Sequence, residues 1–260
     1  MVDTLIRNRI LQIDREIDDL TADDDVVKSV PFSNKLLAFR ALKHGLRFSH
    51  DNWRMWYNYM IVSMNVGELF EASRALRRVV EETSGKVGAQ SVDEDVLERL
   101  VDAVTREPAN PEDAVEGGNS TNDAMNLNQG RGLLRTVMNL LEHTILPRVS
   151  SPRIFRAYAR LLTWQERWEE ALKAYLDGYR SSTAGTMEKG ESNIERWREG
   201  VNEVCEIVDV LRNFGPRVDG YKWRLQGRSI LRTFTGRTRD FEDEPEWHRL
   251  TELQEELQAE

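Results

Sequence analysis

Residues 51–82 read DNWRMWYNYMIVSMNVGELFEASRALRRVVEE, and they constrain the chain more than any other stretch. Trp53, Trp56, Tyr59, Met60 and Ser63 recur at helical spacing before Gly67; Ala72, Leu76, Val79 and Val80 do so after it. Apolar positions three and four apart share one helix face, so this is a pair of amphipathic helices joined at Val66-Gly67. Two antiparallel helices need a large anchor on one, small residues where they cross, and a short loop between them. Trp56 is the expected anchor and Ala72 the expected point of close approach. A lone hairpin leaves an apolar face uncovered, so further hairpins are predicted beside it.

The stretch fits the tetratricopeptide pattern W-x2-L-G-x2-Y…A-x3-F, with Trp56, Tyr59, Met60 and Ser63 on the first helix and Ala72 and Leu76 on the second. A second match begins at Ser151. Phe155, Tyr158, Ala159 and Leu162 take the first-helix positions, and Ala171, Tyr175 and Gly178 the second-helix ones. The two alanines, Ala72 and Ala171, lie close to three repeat lengths apart. Ala38, Leu42 and Gly45 stand one repeat length before Ala72, Leu76 and Val79, as the second helix of a preceding repeat. Its first helix would fall at about 20–32, where Asp23, Asp24, Asp25 and Pro31 oppose one. Either the segment at 5–20 substitutes for it, or the apolar face was made for something outside this chain.

Taken in order, Ile6, Ile10, Ile13, Ile17 and Leu20 predict a short packing helix, and residues 21–30 an acidic linker. Residues 1–30 are thus read as an N-terminal helix and linker, and 31–260 as a helical-repeat domain. Within that domain, helices are predicted at Asn34–Phe48, Val92–Arg106, Leu133–Leu146, Asn193–Phe214 and Tyr221–Phe234, with a last one after Asp243. Residues 107–132 are rich in Asn, Gly, Asp and Pro and predict a disordered insert. Residues 181–191 predict a polar loop.

The chain offers little that could do covalent chemistry. His44, His50, His143 and His248 form no metal-binding spacing, and there is no phosphate-cradling glycine loop. No cofactor and no metal are expected. The single cysteine, Cys205, excludes an internal disulfide and falls on or beside an apolar helix face, where a buried structural thiol is expected. Net charge is −9, which argues against bulk attraction to nucleic acid. Apolar runs are short and residues 1–20 are charged throughout, so no membrane association is expected, and a reducing cytoplasmic or nuclear location is.

The candidate site is a groove lined by the first helix of each hairpin. In the second hairpin the groove positions are Arg153, Arg156, Arg160 and Thr163, a basic stripe on an acidic protein. Such a stripe suits an acidic peptide segment or a terminal carboxylate; the alternative is a solvated face paired with neighbouring glutamates. In the first hairpin the same positions are Arg54, Tyr57, Ile61 and Met64, with Asn58 alongside. These suit peptide contact or packing on the next helix. Asn58 is one member of the Lys and Asn set that a carboxylate clamp needs, so no complete clamp is expected. A further stripe, Arg224, Arg228 and Arg232, raises the alternative of a helical-repeat RNA-binding protein. An enzyme subunit with a site between helices is the third class.

The run NKLLAFRALKHGLRFSHDNWRMWYNYMIVSMNVGELFEASRALRRVVEE resembles the C-terminal repeats of the tetratricopeptide repeat protein 27 family. The shared features are an Ala-Phe-x-x-Leu helix, W-x-x-W-x-N-Y, V-G-E and an Ala-containing helix. The later IFRAYARLL hairpin and the Trp197 helix are similar to the rest of that region. The resemblance covers about 31–260; residues 1–30 do not match, and family members carry further repeats upstream, so a fragment or truncated product is expected. It implies a non-enzymatic scaffold of cytosol and nucleus, linked to chaperone-assisted assembly and, in fungi, to cell-wall maintenance. The combined expectation is an all-α, tetratricopeptide-like right-handed α-solenoid of antiparallel hairpins that binds protein partners, an acidic peptide segment or chaperone-assembly machinery among them.

Overall fold

The computed structural model describes residues 31–83, 92–106, 132–190 and 193–259. The helix and linker read into residues 1–30, and the insert apart from Gly132, lie outside the described residues. The described residues form helices joined by turns, which is the all-α hairpin class that the spacing predicts. The chain divides between Val149 and Ser150 into two compact units.

The first unit holds α1 (Phe32–Gly45), α2 (Trp53–Val66), α3 (Leu69–Thr83), α4 (Glu94–Thr105) and α5 (132–140, ending in a π-turn at Leu141–Ile145). α2 and α3 are the hairpin read from residues 51–82. Asn52 starts α2 by accepting the Arg54 and Met55 amides at 3.1 and 3.4 Å. Gly67 ends it in the left-handed region at φ 83°, where its own amide and that of Glu68 close on Met64 and Ser63. A side chain there would be strained whatever space it had, so glycine makes the tight loop. Beyond it α3 buries Ala72, Ala75, Leu76, Val79 and Val80.

Trp56 is not the deepest anchor. Its ring is half-buried and its indole N–H donates to the His50 carbonyl at 2.7 Å, pinning the loop before α2. Tyr59 and Met60 occupy the fully buried positions instead, and Tyr59 stacks on Phe39 of α1 at 5.3 Å. An indole can keep its N–H at a carbonyl on the rim, whereas Met60 has nothing polar to lose inside. α1 starts directly after Pro31, two residues earlier than predicted, and buries Ala38, Phe39 and Leu42. Leu37 faces outward.

The second unit holds α6 (Pro152–Trp164), α7 (Trp168–Ser181), the short turn α8 (Thr183–Thr186), α9 (Ile194–Phe214), α10 (Trp223–Arg237) and α11 (Trp247–Ala259). α6 and α7 form the second predicted hairpin. They meet so closely that a Cβ on Gly178 would stand 3.0 Å from the Phe155 Cβ, which gives the small residue in that register its physical reason. Ser151 holds the N-cap position of α6, but its hydroxyl caps no amide. Asn193 does cap α9, accepting from Glu195 and Arg196 at 3.0 and 3.2 Å.

The segment read as a polar loop at 181–191 is partly structured. Ala184 and Met187 are buried with Trp197, and Glu203 of α9 accepts the Ala184 amide at 2.8 Å. A four-residue turn is too short to leave a periodic signal, so composition alone misread it. Trp197 is the largest fully buried side chain here, stacked on Phe241 at 4.9 Å.

Candidate partner-binding groove

The first-helix groove positions behave alike in the two hairpins, each taken within its own unit. Tyr57 on α2 and Arg156 on α6 are the same pattern position. Tyr57 donates to the Asp93 carboxylate at 3.2 Å, and Asp93 is also the N-cap of α4, accepting the Val96 amide at 3.0 Å. Arg156 bridges to Glu206 of α9 at 3.4 Å. In both cases the groove side chain reaches an acid beyond the hairpin's second helix, Asp93 at the N-cap of α4 and Glu206 on α9. Burial, then the Asp93 carboxylate, raises the Tyr57 phenol above its ordinary range, so it remains a donor.

The rest of the α2 set is mixed. Arg54 is exposed and lies over the Trp53 ring at 5.6 Å. Asn58 and Ile61 are half-buried beside Tyr57 on the helix. Met64, expected to line the groove, is buried at 8% exposure and belongs to the core. With Met64 buried, the accessible stripe on α2 ends at Ile61.

On α6, Arg153 and Arg160 are exposed and Arg156 is half-buried. The Arg156–Glu206 pair leaves 41% and 52% of its side chains exposed, so a contact of this length is worth about 0–1 kcal/mol. Beneath it lies a cavity of about 30 Å³, lined by Pro152, Arg156, Tyr175, Gly178, Glu206 and Ile207 among others. That is room for a small apolar group. Burial holds the Tyr175 phenol above its ordinary value, while the Thr163 hydroxyl and the Arg160 guanidinium act in the opposite direction. The neighbouring Tyr179 is pushed up to about 12, first by burial. The floor is therefore neutral at physiological pH and the rim is basic on α6 and acidic on α9.

The other arginine stripe does not form one exposed face. Arg224 and Arg228 are half-buried with their Nε atoms enclosed, and Arg224 lies over the Trp223 ring at 5.2 Å. They flank the face that buries Gly227, Ile230 and Leu231, and Arg232 is exposed. Spacing by four put all three on one side, but that side borders the core.

Among the described residues, no group of three or more His, Cys, Asp or Glu side chains is placed to hold a metal ion. Cys205 is buried, and burial raises its thiol above the ordinary value. None of the described helices is long and apolar enough to cross a membrane.

Sequence reasoning missed Asp93 and Glu206, the acids that answer Tyr57 and Arg156. Their separations from those residues differ because the connections between hairpins differ in length, so no fixed spacing marks them. It also missed a tie across the first three helices. Lys43 of α1 bridges to Glu71 of α3 at 2.5 Å. Burial raises the Glu71 carboxyl, but Lys43, Tyr59 and Arg74 outweigh it and hold the group below its usual range. The enclosed Tyr59 hydroxyl makes no hydrogen bond of good geometry, yet burial and then the Glu71 charge keep it protonated.

No family model matches the chain. It is 29% identical over 224 residues to the TPR repeat-containing protein C19B12.01 of Schizosaccharomyces pombe, covering 83% of this chain and 25% of that protein. It is 24% identical over 232 residues to the Essential for maintenance of the cell wall protein 1 of Saccharomyces cerevisiae, covering 85% of this chain and 24% of that one. A third relative, the tetratricopeptide repeat-containing protein trd-1 of Caenorhabditis elegans, is 25% identical over 125 residues, covering 48% of this chain and 15% of that one. The chain spans about a quarter of the length of the two fungal relatives. Two of the three names carry the repeat read from Trp56 and Ala72.

Proposed function

We propose that this chain is a non-enzymatic protein-interaction scaffold, a C-terminal repeat region of the tetratricopeptide repeat protein 27 kind, acting as a chaperone-linked assembly adaptor in cytoplasm and nucleus. Its partner is a protein segment carrying acidic side chains, which approaches the groove positions Arg153, Arg156 and Arg160 on α6. Arg54, Tyr57, Asn58 and Ile61 on α2 form the corresponding contact in the first unit.

The observation that supports this reading best is the Arg156–Glu206 pair above its small apolar cavity. A pair that long and that exposed opens at little cost, and a partner carboxylate can replace Glu206 on the guanidinium with better geometry. A small apolar side chain beside that carboxylate fills the cavity. The overall charge of −9 makes a basic stripe selective, because it repels acidic segments elsewhere on the surface.

The test is quantitative co-purification of partners with the intact chain and with Arg156→Glu. The proposal expects a defined subset of partners to drop out with the variant. Identical partner sets from both chains would remove the groove from the account.

A further inference from the structure

In the second unit, α7 and α10 each pack against α9 and have little contact with each other. Between them a cleft of about 240 Å³ is left. That is a little below the range of about 300–1,000 Å³ in which small-molecule sites fall, so its scale is that of one charged side chain and its neighbour. Arg180 lines it from α7, and Gln226, Ser229 and Arg237 line it from α10. The three α10 residues are spaced by three and eight, which keeps them on one helix face. Leu176 and the buried Ile230 give the cleft an apolar side. No carboxylate lines it, in a chain whose net charge is −9.

We infer that this cleft holds the phosphate of a phosphorylated serine or threonine on a partner protein segment, a second site that rests on the scaffold reading but uses none of the groove arginines. A phosphate monoester carries a charge of about −1.5 to −2 and three strong acceptor oxygens. A carboxylate carries one charge and two oxygens. Two guanidiniums, one amide and one hydroxyl are more donors than a carboxylate needs, and guanidinium forks match phosphate oxygens in geometry. The donors are also available. Arg237 gives one N–H to the Met187 carbonyl at 3.2 Å, and Arg180 gives one to Asp177 at 2.6 Å. Both contacts steady the side chain and leave further N–H groups over, since a guanidinium has five. Asp177 is not part of the lining, so it orients Arg180 without putting a carboxylate in the cleft. Among the described residues, neither the Gln226 amide nor the Ser229 hydroxyl is engaged in a hydrogen bond. The apolar side argues for a peptide over free phosphate, because the residue next to the phosphorylated one packs on Leu176 and Ile230.

The test is fluorescence anisotropy on the full chain with a labelled peptide that carries one phosphoserine between leucines, beside twins with serine or glutamate in its place. The phosphopeptide is expected to bind at least roughly tenfold tighter than either twin. Arg180→Gln is expected to weaken it roughly tenfold. Ser229→Asp should do the same by placing a like charge in the cleft. Ser229 is exposed and its side chain ties nothing down, so this variant should keep the parent's urea midpoint. Equal affinity for the phosphoserine and glutamate peptides overturns the inference, and so does undiminished binding by Ser229→Asp. Inorganic phosphate that displaces the peptide at a concentration near the peptide's own Kd overturns the protein segment as occupant and identifies free phosphate instead. Arg156→Glu separates this site from the groove. Phosphopeptide binding that survives that substitution belongs to the cleft whatever becomes of the groove, and binding lost with it refutes the cleft.

Discussion

Trp197→Ala tests the second unit at its centre. Trp197 is fully buried, stacked on Phe241, and shares one hydrophobic core with Met187, Val201 and Phe234. Truncating a buried aromatic to alanine costs about 3–5 kcal/mol in transfer and cavity terms. One feature pulls the figure down: the indole N–H is enclosed without a partner, and removing an unpaired donor recovers about 1 kcal/mol or more. The lower end, about 3 kcal/mol, is therefore expected, a large share of a domain's stability of about 5–15 kcal/mol. The only cysteine in the chain, Cys205, is buried in the same core on α9, so thiol labelling reports the opening of this unit and no other. At a given pH the labelling rate should rise roughly 100-fold in Trp197→Ala. Leu225→Ala, at a side chain 55% exposed, should leave it within about twofold. A Trp197→Ala rate within about twofold of the parent would refute the packing argument.

The caps give a graded set: Asn52→Ala and Asn193→Ala should each cost about 1 kcal/mol in urea denaturation, while Ser151→Ala, whose hydroxyl caps nothing, should cost close to none. Acid should weaken the first unit through Glu71. Its carboxyl is held below the ordinary value of 4.5 in the fold, so its stabilisation is complete above that value and is lost as pH falls through the depressed one. Glu71→Gln should flatten the urea midpoint against pH over that acid range. Alkali should act on the second unit through Tyr179. Its phenol is raised from 10.0 to about 12, so the neutral form favours the fold, and stability is lost as pH climbs from the first value through the second. Tyrosine absorbance should show late-titrating phenols, and Tyr179→Phe should reduce that late amplitude by one phenol.

The hairpins were legible because they rest on local rules. A glycine at the loop, small residues at the crossing and apolar side chains three and four apart leave their mark within thirty residues, and Gly67, Ala72, Ala159 and Ala171 sit where those rules put them. What each side chain does at its position was less legible. Trp56 and Tyr59 both fit an anchor; only the tertiary surroundings sent one to a carbonyl on the rim and the other inside. The same holds for the groove. That Tyr57 and Arg156 are equivalent follows from the pattern, but their acids on α4 and α9 come across connections of unequal length. The stripe at Arg224, Arg228 and Arg232 shows the converse error, since regular spacing says which residues share a face and not whether that face is covered.

Fluorescence anisotropy with a labelled peptide that carries glutamates around one small apolar side chain measures the groove directly. The comparison is between the intact chain, Arg156→Glu and Glu206→Gln. If Arg156 is held by an internal stand-in for the partner, Arg156→Glu weakens binding at least roughly tenfold, and Glu206→Gln tightens it by removing the competitor. Equal affinity in all three chains would contradict the account, and weaker binding in Glu206→Gln would show that the pair supports the groove and does not compete with the ligand.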